Sequence, residues 1–140
     1  MPNTPPLLMA NGDIYPCRFV KLDTSGDHYG IQATANSQII GVSMEGSNYP
    51  PLSDIVTTVY AAQQGDYYKL YGDGEQCLVE AGTSIAMGDR LKSDANGRAV
   101  PIATTGTTNQ NMGGVALAAA SALGEKIPIQ VLVLRSIRPT

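Results

Sequence analysis

Residues 90–102 have the sequence RLKSDANGRAVPI, in which Arg90–Ser93 and Arg98–Ile102 flank the four residues Asp94-Ala95-Asn96-Gly97. An asparagine followed by a glycine favours a tight reversal, because both residues tolerate a positive φ angle. The flanking runs have the length and the apolar content of short strands. The stretch therefore predicts a β-hairpin.

A second stretch of the same kind lies upstream. Tyr67–Tyr71 and Gln76–Glu80 flank Gly72-Asp73-Gly74, a short connection with a glycine at each end. Glycine is the usual residue where a hairpin loop needs a positive φ angle. These residues predict a second β-hairpin.

The aliphatic run IPIQVLVL at residues 127–134 is the clearest strand in the sequence. Its β-branched residues from Ile127 to Val133 recur with a period of two, which places them on one face of a strand. Leu132 and Leu134 make the far end of the run apolar on the other face as well. Such an end predicts a subunit interface or a sandwich interior, so Leu132 and Leu134 are candidate partner-binding residues.

Further short apolar runs are separated by turns rich in the 15 glycines and 9 prolines of the chain. Ile14–Leu22 predicts a strand that Pro16 confines to a sheet edge or to a strand start. Gln38–Val42 and Val115–Ala119 predict two more strands. Many short strands joined by turns indicate an all-β fold, a small compact β-barrel or sandwich of short antiparallel strands.

The amino-terminal residues 1–12 predict an extended, proline-rich arm, followed by a single β domain at residues 13–140. Exposed apolar side chains are costly, so the arm is expected either to pack onto its own domain or to lie across a neighbouring protein. The candidate partner-binding residues of the arm are Pro5, Pro6, Leu7, Leu8 and Met9.

Three predicted turns share a pattern in which a glycine and an acid precede a strand. They are Gln64-Gly65-Asp66, Met87-Gly88-Asp89 and Leu123-Gly124-Glu125. Their glycines lie 23 and 36 residues apart, which does not fit the fixed period of a solenoid repeat. We interpret the pattern as the same turn chemistry arising independently three times.

The composition excludes several classes of function. No apolar run approaches the roughly 20 residues of a membrane-spanning helix. The net charge is −3, and the nine lysines and arginines are scattered singly, so no basic surface for nucleic acid is predicted. We therefore expect neither a membrane nor a nucleic acid as a partner. Residues 1–11 lack the basic start of a secretory signal peptide, so we expect synthesis to leave the protein inside the cell.

No motif predicts catalysis, a cofactor, a metal or a small-molecule substrate. The single histidine, His28, follows a turn and is expected on the surface. The residues from Asp94 match only the opening of a calcium-binding loop, since Thr105 stands where the closing acid would be.

Two cysteines, Cys17 and Cys77, lie sixty positions apart without neighbouring ligand residues. We favour two buried thiols in a reduced protein, while a disulfide between them stays open.

Residues 77–100, CLVEAGTSIAMGDRLKSDANGRAV, resemble the signature stretch of phage capsid cement proteins. Residues 114–127, GVALAAASALGEKI, are similar to the closing segment of the same family of small head decoration proteins. Together these stretches cover about the last 65 residues. The amino-terminal half matches the family only in general layout.

The resemblance implies a β-rich protein on the outer surface of a phage head, which binds the major capsid protein and stabilises the shell. It also implies self-association, often as a homotrimer, and it implies no enzymatic residues and no cofactor. The expected location is the virion, after synthesis in the host cytoplasm.

Two alternatives stay open. Residues 79–91 also resemble the hairpins of lipoyl or biotinyl carrier domains, although no lysine lies at a predicted hairpin tip and Lys92 falls inside a strand. A phage tail or host-adhesion component would have the same fold class.

Overall fold

A computed structural model of the chain describes residues 8–25, 29–43, 62, 65, 67–68, 70–102 and 110–137. These residues form strands, bridges, bends and turns, and none of the described segments is a helix that could cross a membrane. The all-β prediction is confirmed. The strands are β1 Leu8–Ala10, β2 Phe19–Leu22, β3 Tyr29–Gln32, β4 Ile39–Ser43, β5 Tyr67–Tyr68, β6 Leu70–Tyr71, β7 Gln76–Glu80, β8 Arg90–Ser93, β9 Ala99–Pro101, β10 Gln110–Ala116 and β11 Lys126–Ile137.

The strands form two curled sheets. The first sheet has the order β5-β1-β3-β2-β4-β6, and the second has the order β7-β11-β10-β8-β9. The ends of the first sheet come together because β5 and β6 are nearly consecutive in the chain. The ends of the second meet where Ala81, directly after β7, bridges to Ala99 in β9. The predicted barrel-like packing of short strands is therefore present. Most pairs are antiparallel, whereas β1 pairs with β3 in parallel.

The two sheets repeat one plan, which the strand registers show. In the first sheet Met9 pairs with Tyr67, and in the second sheet the equivalent residue Glu80 pairs with Lys126. In the same way, Val20 pairs with Gly41 in the first sheet, and the equivalent residue Leu91 pairs with Gly114 in the second. Residues 8–23 thus correspond to residues 79–94, 71 positions later, and the hairpin turn that follows is also shared, because Asp23 and Asp94 each accept a hydrogen bond from the amide two residues on.

The glycine-acid turns belong to this duplication. Gly65, Gly88 and Gly124 have φ angles of 92°, 89° and 94°. Gly65 and Gly124 hold the same place in the two halves, since their amides donate to the carbonyls of the corresponding residues Ala10 and Ala81. Gly88 corresponds to Cys17, which has a φ of 59°. The turns therefore hold equivalent places in the two halves, and their independent origin stays an interpretation. The spacing is unequal because the second half contains two of these turns, the first half contains one and has Cys17 in place of the other glycine, and the halves differ in length.

The larger hydrophobic core takes side chains from both sheets. Phe19, Ile39 and Val42 of the first sheet are buried with residues of the second, among them Val79, Ile129 and Val131. A smaller core inside the first sheet consists of Ala10, Ile14, Val20 and Ala62, with Ile40 and Leu70 packed against it. Among the described residues, the largest buried side chain of the first half, Phe19, therefore lies in the core that it shares with the second half.

The hairpin predicted at residues 90–102 is confirmed by the antiparallel pairing of β8 with β9. The hairpin predicted at residues 67–80 is wrong, because β6 belongs to the first sheet and β7 to the second. The turn at residues 72–75 is instead the crossing between the two halves. The two predictions rested on the same local signal, and only contacts distant in sequence distinguish a hairpin from a crossing.

Candidate functional site

The outward face of the second sheet is open, whereas the equivalent face of the first is covered. In the first sheet, neighbouring positions across β2, β4 and β6 are Phe19, Val42 and Tyr71. Phe19 and Val42 are fully buried in the core shared by the two halves. The corresponding positions in the second sheet are Arg90, Val115 and Gln130, of which Arg90 and Gln130 are exposed.

The open face carries a continuous group of apolar side chains across β7, β11 and β10. Leu78 is the register partner of Pro128, and the amide of Leu117 donates to the carbonyl of Pro128 at 3.0 Å. Two residues further along β11, Gln130 is the register partner of Val115 in β10. We call this surface the outer face, and it consists of Leu78, Val115, Leu117, Pro128, Leu132 and Leu134, with Gln76 and Gln130 among them.

Strand β11 is the axis of the outer face. Burial alternates along it without a break from Ile127 to Leu134, so Pro128, Gln130 and the two leucines share the outward side. Leu132 is 37% exposed and Leu134 is 46% exposed. Fully burying a leucine side chain contributes roughly 1.5–3 kcal/mol, so these two positions favour a covered state.

Charged side chains lie only at the margin of this surface in the described residues. Glu80 and Lys126 are register partners at the start of β11, and Arg90 flanks Val115 on β8. The outward positions of β11 from Pro128 to Leu134 carry no charge. An apolar centre with a polar rim is the usual arrangement of a protein–protein interface.

The turn at residues 72–75 fixes the position of β11. The amide of Gly74 donates to the carbonyl of Val131 at 2.7 Å, and the amide of Val131 donates to the carbonyl of Glu75 at 2.8 Å. Asp73 Oδ1 accepts a hydrogen bond from the amide of Val133 at 2.8 Å. The central part of the outer face is therefore held in place by backbone contacts on both sides of β11.

An ionic cluster joins the two halves. Arg18 is only 8% exposed, and its guanidinium donates to Glu80 Oε2 at 2.9 Å and to the carbonyl of Asn96 at 2.8 Å. Arg98 donates to the same Glu80 oxygen. Burial lowers the pKa of Arg18 below its usual range, and the charge of Glu80 opposes this shift. The ring of Tyr15 lies 5.2 Å from the guanidinium carbon.

Hydrogen bonds also hold two turn carboxylates in their charged form. The side chain of Asn11, together with the amide and hydroxyl of Ser25, lowers the pKa of Asp23. The hydroxyl and amide of Ser121 lower the pKa of Glu125. These contacts fix the shape of turns at the ends of strands and leave the carboxylates in structural roles.

The sequence-predicted partner-binding residues fall into three groups. Pro5, Pro6 and Leu7 lie outside the described residues. Leu8 and Met9 belong to β1, whose backbone pairs with β3 and β5 of the same chain. Leu132 and Leu134 lie on the outer face, as their alternation predicted.

The remaining members of the outer face were missed. Leu117 was assigned to a strand but to no face, and Leu78 and Pro128 were not singled out. The alternation along residues 76–80 and 127–134 predicts which side of each strand Leu78 and Pro128 face. The pairing of β7, β10 and β11 that brings them together depends on tertiary structure.

The described residues place the candidate chemical groups in turns and in the core. Asp94 Oδ1 accepts hydrogen bonds from the amides of Asn96 and Arg98. Cys17 and Cys77 are buried, and the disulfide that the sequence left open is not formed. Among these residues, no group of three or more acids, cysteines or histidines is placed to hold a metal ion. His28 lies outside the described residues.

The phage cement protein family model matches residues 10–133, which spans both halves of the fold and all of the outer face except Leu134. The chain belongs to the phage cement protein family. The matched range also includes the amino-terminal half, where sequence resemblance extended only to general layout. The role of this cement protein is accordingly structural and lies in the phage head.

A solved structure has the same fold as the cement protein. It is the N base of the head fiber gp8.5 of bacteriophage phi29, which is 20% identical and has a TM-score of 0.53. The match covers 96% of this chain and 95% of that one. No curated protein matches the sequence.

Proposed function

We propose that this protein is a decoration protein of the outer surface of a phage head, where a homotrimer binds the major capsid protein and stabilises the shell. Synthesis takes place in the host cytoplasm, and the protein acts without catalysis, cofactor or small-molecule substrate. The observation that carries the proposal is the uncharged outer face, fixed on a rigid β scaffold in a member of the cement family. Such a face serves adhesion between proteins.

Binding several identical sites at once supplies the affinity that this role requires. The outer face is about three strands wide and covers on the order of 300 Å², given strand spacings near 4.8 Å and a rise near 3.3 Å per residue. A standard stable interface buries roughly 800 Å² per partner. A contact of this size is therefore too small to act alone, whereas a closed trimer makes three such contacts between its copies and binds several capsid sites together, which adds affinity through avidity.

Heads assembled without this protein should release their DNA at a lower temperature than complete heads. Each bound copy adds contact free energy that is present only while the shell is intact, so its loss lowers the barrier to opening. Dye access to DNA during heating measures the release. Adding purified protein to the deficient heads should restore the original temperature, and unchanged release in both samples would contradict the proposal.

The arm is proposed to extend the contact onto the capsid. Deleting residues 1–7 should leave β1 and the rest of the first sheet intact, because the described strand begins at Leu8. We expect head binding to weaken about tenfold or more, consistent with the loss of one buried leucine. Co-sedimentation with heads measures the binding, and replacing Asn3 and Thr4 with alanine is the control, because it keeps the length of the arm and all of its candidate partner-binding residues. Full-strength binding by the deletion variant would assign the contact to other surfaces.

The carrier-domain alternative has less support. Lys92, the lysine within the matching hairpin, donates from Nζ to Gln110 Oε1 at 2.8 Å and is partly buried between β8 and β10. A carrier lysine must be exposed at a hairpin tip to reach separate active sites. The turn at residues 94–97 contains no lysine and instead contacts Arg18 and Phe19 of the first half.

A further inference from the structure

We propose that the outer face is the surface through which identical copies of this chain associate, so that Leu132 and Leu134 meet their counterparts around a symmetry axis. The inference rests on the proposed function for the homotrimer and identifies the residues that form it. The capsid is then bound by other surfaces of the assembly.

The distribution of charge favours a second copy as the occupant. Around a symmetry axis each side chain approaches its own counterparts, so a charged residue there meets a like charge in a poorly solvated place. The outward positions of β11 from Pro128 to Leu134 contain no charged side chain, although the chain carries 12 acids and nine bases. Among the described residues, Glu80 and Lys126 lie at the start of β11 and have opposite signs, and Asp73 lies at the edge of β11, where its carboxylate accepts a hydrogen bond from the amide of Val133.

The apolar content of the face points the same way. Interfaces between identical subunits are more apolar than interfaces between proteins that also exist apart, and the latter use charge to select their partner. Leu117, Pro128, Leu132 and Leu134 are all exposed in the single chain. A face with these residues and no charge gives little basis for selecting a different protein as its partner. It can pack against the same face of another copy without bringing like charges together.

The carboxyl-terminal part of β11 has a further reason to be covered. β7 pairs with β11 only as far as Gln130, and the turn at residues 72–75 continues the contact to Val133. Beyond Val133, β10 is the one described strand that pairs with β11. A two-stranded ribbon with an open edge and apolar side chains is marginal in water and prone to association. Packing against other copies would cover Leu134 and this edge together.

The test compares two double variants, each of which replaces two exposed leucines with lysine. One pair of leucines lies on the outer face, and the other pair lies elsewhere. Leu132→Lys combined with Leu134→Lys should turn the wild-type trimer into a monomer in sedimentation velocity, with half-assembly shifted to roughly 100-fold or higher concentration. Leu22→Lys combined with Leu123→Lys is the matched control, because these leucines are 50% and 61% exposed and lie outside β7, β10 and β11. The control should assemble like the wild type. Circular dichroism checks that both variants are folded.

A cross-linking measurement keeps the inference testable if the lysine variant does not fold. Gln130→Cys places a thiol at the centre of the outer face, and the native thiols of Cys17 and Cys77 are buried. A short bismaleimide should join copies of this variant in high yield. Ala122→Cys, exposed in the connection between β10 and β11, should give little product.

Three results would overturn the inference. They are a monomeric wild type at micromolar concentration, a lysine variant that assembles like its control, and equal cross-linking of the two cysteine variants. These measurements use purified protein without heads, so they are separate from the test of head stabilisation. If the lysine variant stays trimeric but no longer binds heads, the outer face binds the capsid and the proposed function stands.

Discussion

Replacing Glu80 with alanine should lower the free energy of unfolding by about 3 kcal/mol. Its carboxylate is the shared partner of Arg18 and Arg98, and it connects β7 of the second half to the first half. Without it, Arg18 keeps its charge in a site where it is 8% exposed, and the two guanidinium groups lose the negative charge between them. A domain of this size has a total stability of about 5–15 kcal/mol, so the loss is a large fraction.

Chemical denaturation measures the effect of Glu80→Ala, and the melting temperature should fall by roughly 10 °C. Glu80→Gln is the matched control, because it keeps the shape and one acceptor oxygen while removing the charge, and we expect an intermediate loss. Combining Arg18→Met with Glu80→Met should cost less than the sum of the single changes, since it removes both buried charges. Additive losses would show that the two residues do not act as a pair.

Replacing Gly41 with alanine should cost about 3 kcal/mol or more, although alanine is a modest change in most strands. A Cβ atom at Gly41 would overlap the backbone carbonyl oxygen of Tyr71, and backbone cannot move aside as a side chain can. The duplication predicts the same constraint in the other half. A Cβ at the corresponding Gly114 would lie 2.8 Å from the carbonyl oxygen of Gln130.

Thermal denaturation of Gly41→Ala and Gly114→Ala tests this expectation. The matched control is Gly72→Ala, where the nearest atom would be Glu75 Oε1 at 3.6 Å, an ordinary contact distance. We expect the control to change the melting temperature by less than about 2 °C. If Gly41→Ala melts with the control, the close approach of β4 to β6 does not exist in solution.

Local patterns in the sequence predicted the elements well where neighbours along the chain determine them. The Asn-Gly turn of the hairpin at residues 90–102 and the alternation in β11 are of this kind. The crossing at residues 72–75 has the same glycine pattern as a hairpin, and it differs only in which sheets receive β6 and β7. Sequence-local reasoning therefore could not separate the two cases.

The duplication could have been found from the sequence. Comparing the chain with itself at an offset of 71 aligns Ala10, Ile14, Lys21 and Asp23 with Ala81, Ile85, Lys92 and Asp94. A fixed short period does not reveal it, because the halves differ in length and Cys17 stands where the other turns have glycine. The family resemblance supplied the functional expectation, whereas the outer face became visible only with the pairing of three strands.

The uneven sharing of the core has a consequence for how the protein is made. A nascent chain emerges at about 5–20 residues per second, so several seconds separate Phe19 and Ile39 from the strands that cover them. Until β10 and β11 leave the ribosome, the core that the described residues of the first half form among themselves lacks Phe19, Ile39 and Val42, which pack with the second half. We expect it to stay unfolded for that time, so that truncated translation products are degraded and only complete chains reach an assembling virus.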